Sequence, residues 1–158
     1  NDSYVNGSSG ERIVSRVTSS SNTVPSFTAK QGHSYIISIQ CYNQHYRYSG
    51  NNSGRSAQFR LYKGTTSRSQ GGSTFDTLLA YLIGGRSMVA ATTSSTPSEI
   101  PLYISGMFYQ SGSDATTYYY LTSYDGATDK YTVSYMSSTS PLNEFIYEIK
   151  GNVVTTST

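Results

Sequence analysis

The chain of 158 residues has no tryptophan, a single cysteine, four prolines and two histidines, and only 13% of its residues are charged. Each shortage closes a route. Cys41 alone permits no internal disulfide and no thiolate metal cluster within one chain. Its place in an alternating apolar stretch reads as a small buried hydrophobe. His33 and His45 sit in no recognisable motif, which leaves little material for an imidazole base or a complete zinc ligand set. The longest apolar run, Leu78–Ile83, falls far short of the roughly 20 residues a membrane-spanning helix needs, so no membrane insertion is expected. The net charge of +2 arises from 11 basic and 9 acidic residues without a basic stripe, so nucleic acid is not an expected partner.

What is present is a surplus of 16 Tyr and 14 Gly in a background of Ser and Thr. Such a mixture is poor in helix formers and suits pleated sheets and polar turns. The length fits one domain, residues 1–158, with about 1–10 and 152–158 expected to fray. The start, NDSYVNGSSG, carries no signal-peptide pattern and reads as the beginning of an excised fragment.

In SYIISIQCY, Tyr35, Ile37, Ile39 and Cys41 share one face and Ser34, Ser38 and Gln40 the other, the pattern of a half-buried strand. AQFRLYKG repeats it, with Ala57, Phe59 and Leu61 opposite Gln58, Arg60 and Tyr62. TLLAYLIGG is apolar on both faces and predicts a central strand stopped by Gly84-Gly85. PLYISGMFY, YYYLTSY and KYTVSYM add further short strands, with Asp125-Gly126 placed for a hairpin turn between the last two. The spacing predicts an all-β sandwich. One segment departs from it: Leu142, Phe145, Ile146 and Ile149 recur at helical spacing, with Ser140 as N-cap, Pro141 in the first turn and Gly151 past the end, so a short helix is expected over Pro141–Lys150.

Catalytic constellations are sparse. A glycosidase needs two facing carboxylates, and most of the nine, Asp2, Glu11, Asp76, Glu99, Asp114, Asp125, Asp129, Glu144 and Glu148, fall in turns. Glu144 and Glu148, at i and i+4, mark the solvated side of the expected helix. The glycines of SGNNSG and SQGGS lack the lysine and following helix of a phosphate loop. No enzyme, cofactor or metal is therefore expected. The sequons at Asn1, Asn6 and Asn51 decide nothing in a chain so rich in Ser and Asn.

Surface chemistry remains. Tyrosine offers a rigid ring for stacking and a hydroxyl for hydrogen bonding, both useful against sugars. The densest cluster, ATTYYYLTSYD, interleaves Tyr118, Tyr119, Tyr120 and Tyr124 with Thr116, Thr117, Thr122 and Ser123; a second, YNQHYRYSGNNSG, holds Tyr42, Tyr46, Arg47 and Tyr48. Alternate tyrosines could equally face a core. Successive strand side chains alternate faces, so at least one of Tyr118–Tyr120 is expected to be exposed.

Three stretches resemble the head fragment of the rotavirus outer-capsid spike protein. ATTYYYLTSYD, preceded by GMFYQSGSD, is similar to the family's ATT-x-YYSTTNYD and its aromatic strand. YTVSYMSSTSPLNEFI is similar to FYIIPRSQESKCNEYI, with Asn143-Glu144-Phe145-Ile146 on its NEYI at the start of a terminal helix, and QFRLYKGTT resembles KFLEMFRGSS. Leu142 stands where common group A heads carry cysteine, which points to a divergent group.

The resemblance implies a galectin-like two-sheet antiparallel β-sandwich at the spike tip on the virion surface. Its partners would be host cell-surface oligosaccharides and the remainder of the spike, with the isolated domain monomeric. The segment Lys-Tyr-Tyr-Ser that contacts sialic acid in some heads falls on Tyr118, Tyr119, Tyr120 and Leu121. The assisting arginine falls near Gln44, with Arg47 out of register. A carboxylate gains most from a fixed guanidinium fork, so its loss favours a neutral, galactose-containing or blood-group-like glycan. The resemblance together with the tyrosine clusters places the expected glycan contacts at Thr117, Tyr118, Tyr119, Tyr120, Gln44, Arg47 and Tyr48. A coat or fibre domain using its tyrosines for subunit contacts is the alternative, and a glycan hydrolase a weaker one.

Overall fold

The alternation in SYIISIQCY and AQFRLYKG is realised as sheet: Tyr35, Ile37 and Ile39 are buried on one side of their strand, and Phe59 and Leu61 on one side of theirs. The computed structural model describes residues 2–6, 10–14, 21–47, 56–87, 98–125, 132–136 and 143–153. Among these residues there is no helix. In chain order the strands are β1 (Asp2–Asn6), β2 (Gly10–Ile13), β3 (Ser26–Ala29), β4 (His33–Arg47), β5 (Ser56–Gly64), β6 (Thr77–Ser87), β7 (Ser98–Tyr109), β8 (Ala115–Asp125), β9 (Thr132–Met136) and β10 (Asn143–Lys150).

They form two antiparallel sheets. Sheet A is ordered β1-β9-β4-β10 with β7 on the other edge of β4; sheet B is ordered β2-β8-β5-β6 with β3 also on β8. The 15-residue β4 is the spine of sheet A. One edge carries β7 from Ser34 to His45, while the other carries β10 along His33–Gln40 and then β9 along Asn43–Arg47. Asp2–Asn6, within the segment expected to fray, pairs with β9 at every residue.

The main core lies between the sheets, where Tyr35, Ile37, Ile39 and Phe108 of sheet A meet Phe59, Leu61, Tyr119 and Leu121 of sheet B. Gly106 on β7 permits close approach of the layers, since a Cβ there would stand 2.7 Å from Leu79 Cβ on β6. A second apolar cluster of Ile13, Val24, Tyr62 and Tyr120, with Phe75 and Tyr118 against it, forms on the opposite face of sheet B. The segment 68–76 is tied down there by backbone bonds: Ile13 donates to Gly72 at 3.0 Å, Gly71 to Ile13 at 2.8 Å and Val24 to Arg68 at 3.0 Å. Gly71 makes the turn at φ +82°, a conformation that costs a residue with a side chain. Around β8 and Tyr62, sheet B is thus covered on both faces, whereas the outer face of sheet A carries no covering layer among the described residues.

Three local expectations are corrected. Over Asn143–Lys150 the expected helix is a strand paired residue for residue with β4. The run Phe145-Ile146-Tyr147 supplies apolar residues at both periods, its residues are aromatic or β-branched, and the vacant edge of β4 offers eight pairing positions. TLLAYLIGG is the edge strand of sheet B, with Leu78 and Tyr81 exposed, and it runs through Gly84-Gly85 to Ser87. The strands flanking Asp125-Gly126 belong to different sheets, so no hairpin joins them.

Candidate functional site

The tyrosines of β8 stand in the two cores. Tyr119 is 5% exposed and faces the inter-sheet core; Tyr120 is fully buried in the cluster under segment 68–76. Tyr118 is half-buried against that second cluster, and Thr117 is buried. Alternation does send neighbours to opposite faces, but both faces are covered at these positions of β8, so it exposes neither Tyr119 nor Tyr120.

Each buried hydroxyl has a carboxylate partner. Tyr119 donates to Glu144 Oε2 at 2.9 Å, and Tyr120 donates to Asp76 Oδ2 at 2.6 Å while accepting from the Asp76 amide at 2.9 Å. Burial, reinforced by the adjacent carboxylate, pushes both phenols up. Asp76 is also held by a two-pronged bond from Arg68, 3.0 Å at each oxygen, and this fork keeps its carboxyl below the ordinary range. These contacts tie β10 to β8 across the inter-sheet core and segment 68–76 to β8 in the second cluster, and Tyr119 and Tyr120 keep almost no ring surface for a ligand. The side chains of Cys41, Gln44, His45 and Arg47, and the whole of Tyr48, lie outside the described residues.

The outer face of sheet A has the opposite character. Pairing sets its side chains in rows across β7, β4 and β10: Tyr103 beside Gln40, then Ser105, Ser38 and Phe145, then Met107, Ile36 and Tyr147. Tyr103, Tyr147 and Phe145 are 58%, 51% and 46% exposed. Phe145 and Tyr147 stack with centroids 6.1 Å apart at 21°, forming one continuous wall. Between that wall and Tyr103 runs an open groove of ≈ 450 Å³, floored by Ile36, Ser38, Gln40 and Ser105.

The groove floor is uncharged and, apart from Ile36, polar. The side chains of Ser38, Gln40 and Ser105 have no hydrogen-bond partner among the described residues, although Ser38 is only 6% exposed. The described carboxylates are engaged elsewhere. Glu11 accepts from Arg60 at 2.7 Å, Tyr62 at 2.9 Å and Thr122, while Asp114 accepts from Lys30 at 3.0 Å and the Gln31 amide at 2.9 Å. Glu144 and Glu148, on the inward side of β10, bond Tyr119 and His33 respectively. The groove therefore offers stacking and neutral hydrogen bonding, and among the described residues it holds neither a facing acid pair nor a cation.

Sequence reasoning missed Tyr103, Phe145 and Tyr147 as site residues. The signal was there in part, since Tyr103, Ser105 and Met107 alternate in PLYISGMFY. The helical reading of the C-terminal segment hid the other wall, because it set Phe145 and Ile149 against a core. No protein-family model matches the chain, and no curated protein matches it.

Proposed function

We propose that this protein is a non-catalytic glycan-binding attachment domain, the head of a virus spike, that takes neutral host-cell glycans on the outer face of sheet A. The observation that carries the reading is the groove itself: exposed aromatic rings on two sides of a floor whose hydroxyl and amide groups lack partners among the described residues. Pyranose rings present apolar C–H faces and hydroxyl edges, and that combination fits ring walls with a polar floor. Absence of charge among the described floor and wall residues disfavours an acidic sugar, whose carboxylate would be desolvated without a counter-ion.

The two antiparallel sheets are compatible with a galectin-like sandwich, and the three motifs resembling the rotavirus spike head support the viral setting. The glycan contacts move from Thr117 and Tyr118–Tyr120 to Tyr103, Phe145, Tyr147, Ser38, Gln40 and Ser105. Binding at one site is weak, since each protein–sugar hydrogen bond replaces one to water, and display of many heads compensates by avidity. A multivalent glycan array tests this, comparing the wild type with Tyr103→Ala and Phe145→Ala. Selective neutral-glycan binding that both substitutions abolish is the expected result. Dependence on sialic acid, or binding indifferent to both substitutions, overturns the site. No glycan binding at all returns the chain to the coat-domain alternative.

A further inference from the structure

β10 is an edge strand. It pairs with β4 along one side, and among the described residues nothing pairs with its other side. Such an edge presents a row of unpaired backbone donors and acceptors and is a template for another strand. It is also amphipathic across its width: Phe145, Tyr147 and Ile149 stand exposed on the outer face, and Glu144, Ile146, Glu148 and Lys150 on the other.

Among the described residues, two charges on this strand lack an opposite partner. Glu144 is half-buried and accepts only from the neutral hydroxyl of Tyr119; burial pushes its carboxyl up, and no cation stands against it among the described residues. Lys150, at the far end of the same strand, is exposed, and its ammonium has no partner among the described residues.

We propose that β10 joins β10 of a second copy of this chain, antiparallel about a twofold axis at Tyr147, extending sheet A across a dimer in place of the isolated monomer that the resemblance implies. That register sets Glu144 opposite Lys150 of the second copy at both ends, Phe145 opposite Ile149, and Tyr147 opposite itself. Neighbouring registers are worse. Moving the axis to Ile146 sets Glu144 against Glu148, and moving it to Glu148 sets that carboxylate against its own mate. Cross-strand opposite charges and aromatic pairs stabilise, and like charges directly opposed destabilise, so the sequence of the edge selects one alignment.

The backbone has the shape for it. β9 continues the line of β10 along β4, and β1 lies outside β9, so the sheet ends in a step beside β10. A twofold copy of the same step brings its own β10 into line with β1, and the two outlines interlock. The pairing uses the edge of β10 and leaves the groove between β10 and β7 open. The inference therefore stands independently of the ligand read there.

Sedimentation velocity on the whole chain, from micromolar to millimolar concentration at moderate salt, measures it. A concentration-dependent dimer is expected, and Lys150→Glu, which turns each Glu–Lys contact into Glu–Glu, weakens association at least about tenfold. Tyr147→Glu sets two carboxylates across the twofold axis and weakens it at least as much, while Tyr103→Ala, on the far wall of the groove, leaves it unchanged. Circular dichroism confirms that each variant keeps its sheet spectrum. A monomer at every concentration overturns the proposal. A dimer indifferent to both Lys150→Glu and Tyr147→Glu is built on another surface and overturns it equally.

Discussion

Two groups of aromatic residues in this chain have the same chemistry and opposite fates. Tyr119 and Tyr120 on β8 are enclosed, their hydroxyls spent on Glu144 and Asp76. Tyr103, Phe145 and Tyr147 on sheet A are about half exposed, over a floor of polar groups without partners among the described residues. The difference lies in what covers each face. Segment 68–76 folds back over the far side of sheet B and converts a second strand face into core, and nothing comparable covers sheet A among the described residues. Tyrosine density therefore marks packing in one place and a candidate binding surface in another.

The largest test of this contrast is stability. Tyr120→Ala removes a fully buried ring stacked on Tyr62 at 5.5 Å and strips the hydroxyl from Asp76. A loss of about 3–5 kcal/mol is expected, read as a fall in the urea midpoint at unchanged slope. A loss under about 1 kcal/mol would mean that the second core is not closed as described.

An intermediate effect separates the two carboxylates that hold these tyrosines. Asp76 has its folded pKa below the unfolded 3.8, so the folded state binds its proton less tightly. Its contribution is present above that value and is lost as pH falls through the folded pKa. Glu144 has its folded pKa above the unfolded 4.5, so the folded state binds its proton more tightly, and stability rises as pH falls through the folded pKa. Unfolding measured across acidic pH should thus show a maximum between the two transitions. Glu144→Gln removes the rise on its neutral side and Asp76→Asn reduces the fall on its acid side. A monotonic profile insensitive to Glu144→Gln would show that this carboxyl is not desolvated.

The smallest stability effect belongs to the exposed wall. Tyr103→Ala is expected to change stability by no more than about 0.5 kcal/mol, because the ring is already 58% exposed. If thermal unfolding shows a loss comparable to that of Tyr120→Ala, the face is packed against something and the contrast fails.

Much of the fold was legible from period alone. Tyr35, Ile37 and Ile39, and likewise Phe59 and Leu61, face the core as their alternation requires. β10 was not legible, since Phe145-Ile146-Tyr147 satisfies the strand and the helix period together and the choice falls to the vacant edge of β4. Nor was the edge position of β6, because a run apolar on both faces fits a central strand as well. The proposed site lies elsewhere than expected for the same kind of reason: alternation led to the expectation that at least one of Tyr118–Tyr120 is exposed, and alternation assigns faces but not their covering.

The sequence by itself determined the class of structure. Its Tyr, Ser, Thr and Gly content and period-2 runs commit the chain to sheets, and its shortage of Cys, His and clustered carboxylates leaves few constellations for catalysis. Only the tertiary structure decided which aromatic residues meet solvent. Alternation is local and sets which way a side chain points, whereas exposure depends on segments distant in the chain: residues 68–76 close over Tyr62 and Tyr120, and the pairing of β10 with β4 sets Phe145 and Tyr147 across the groove from Tyr103.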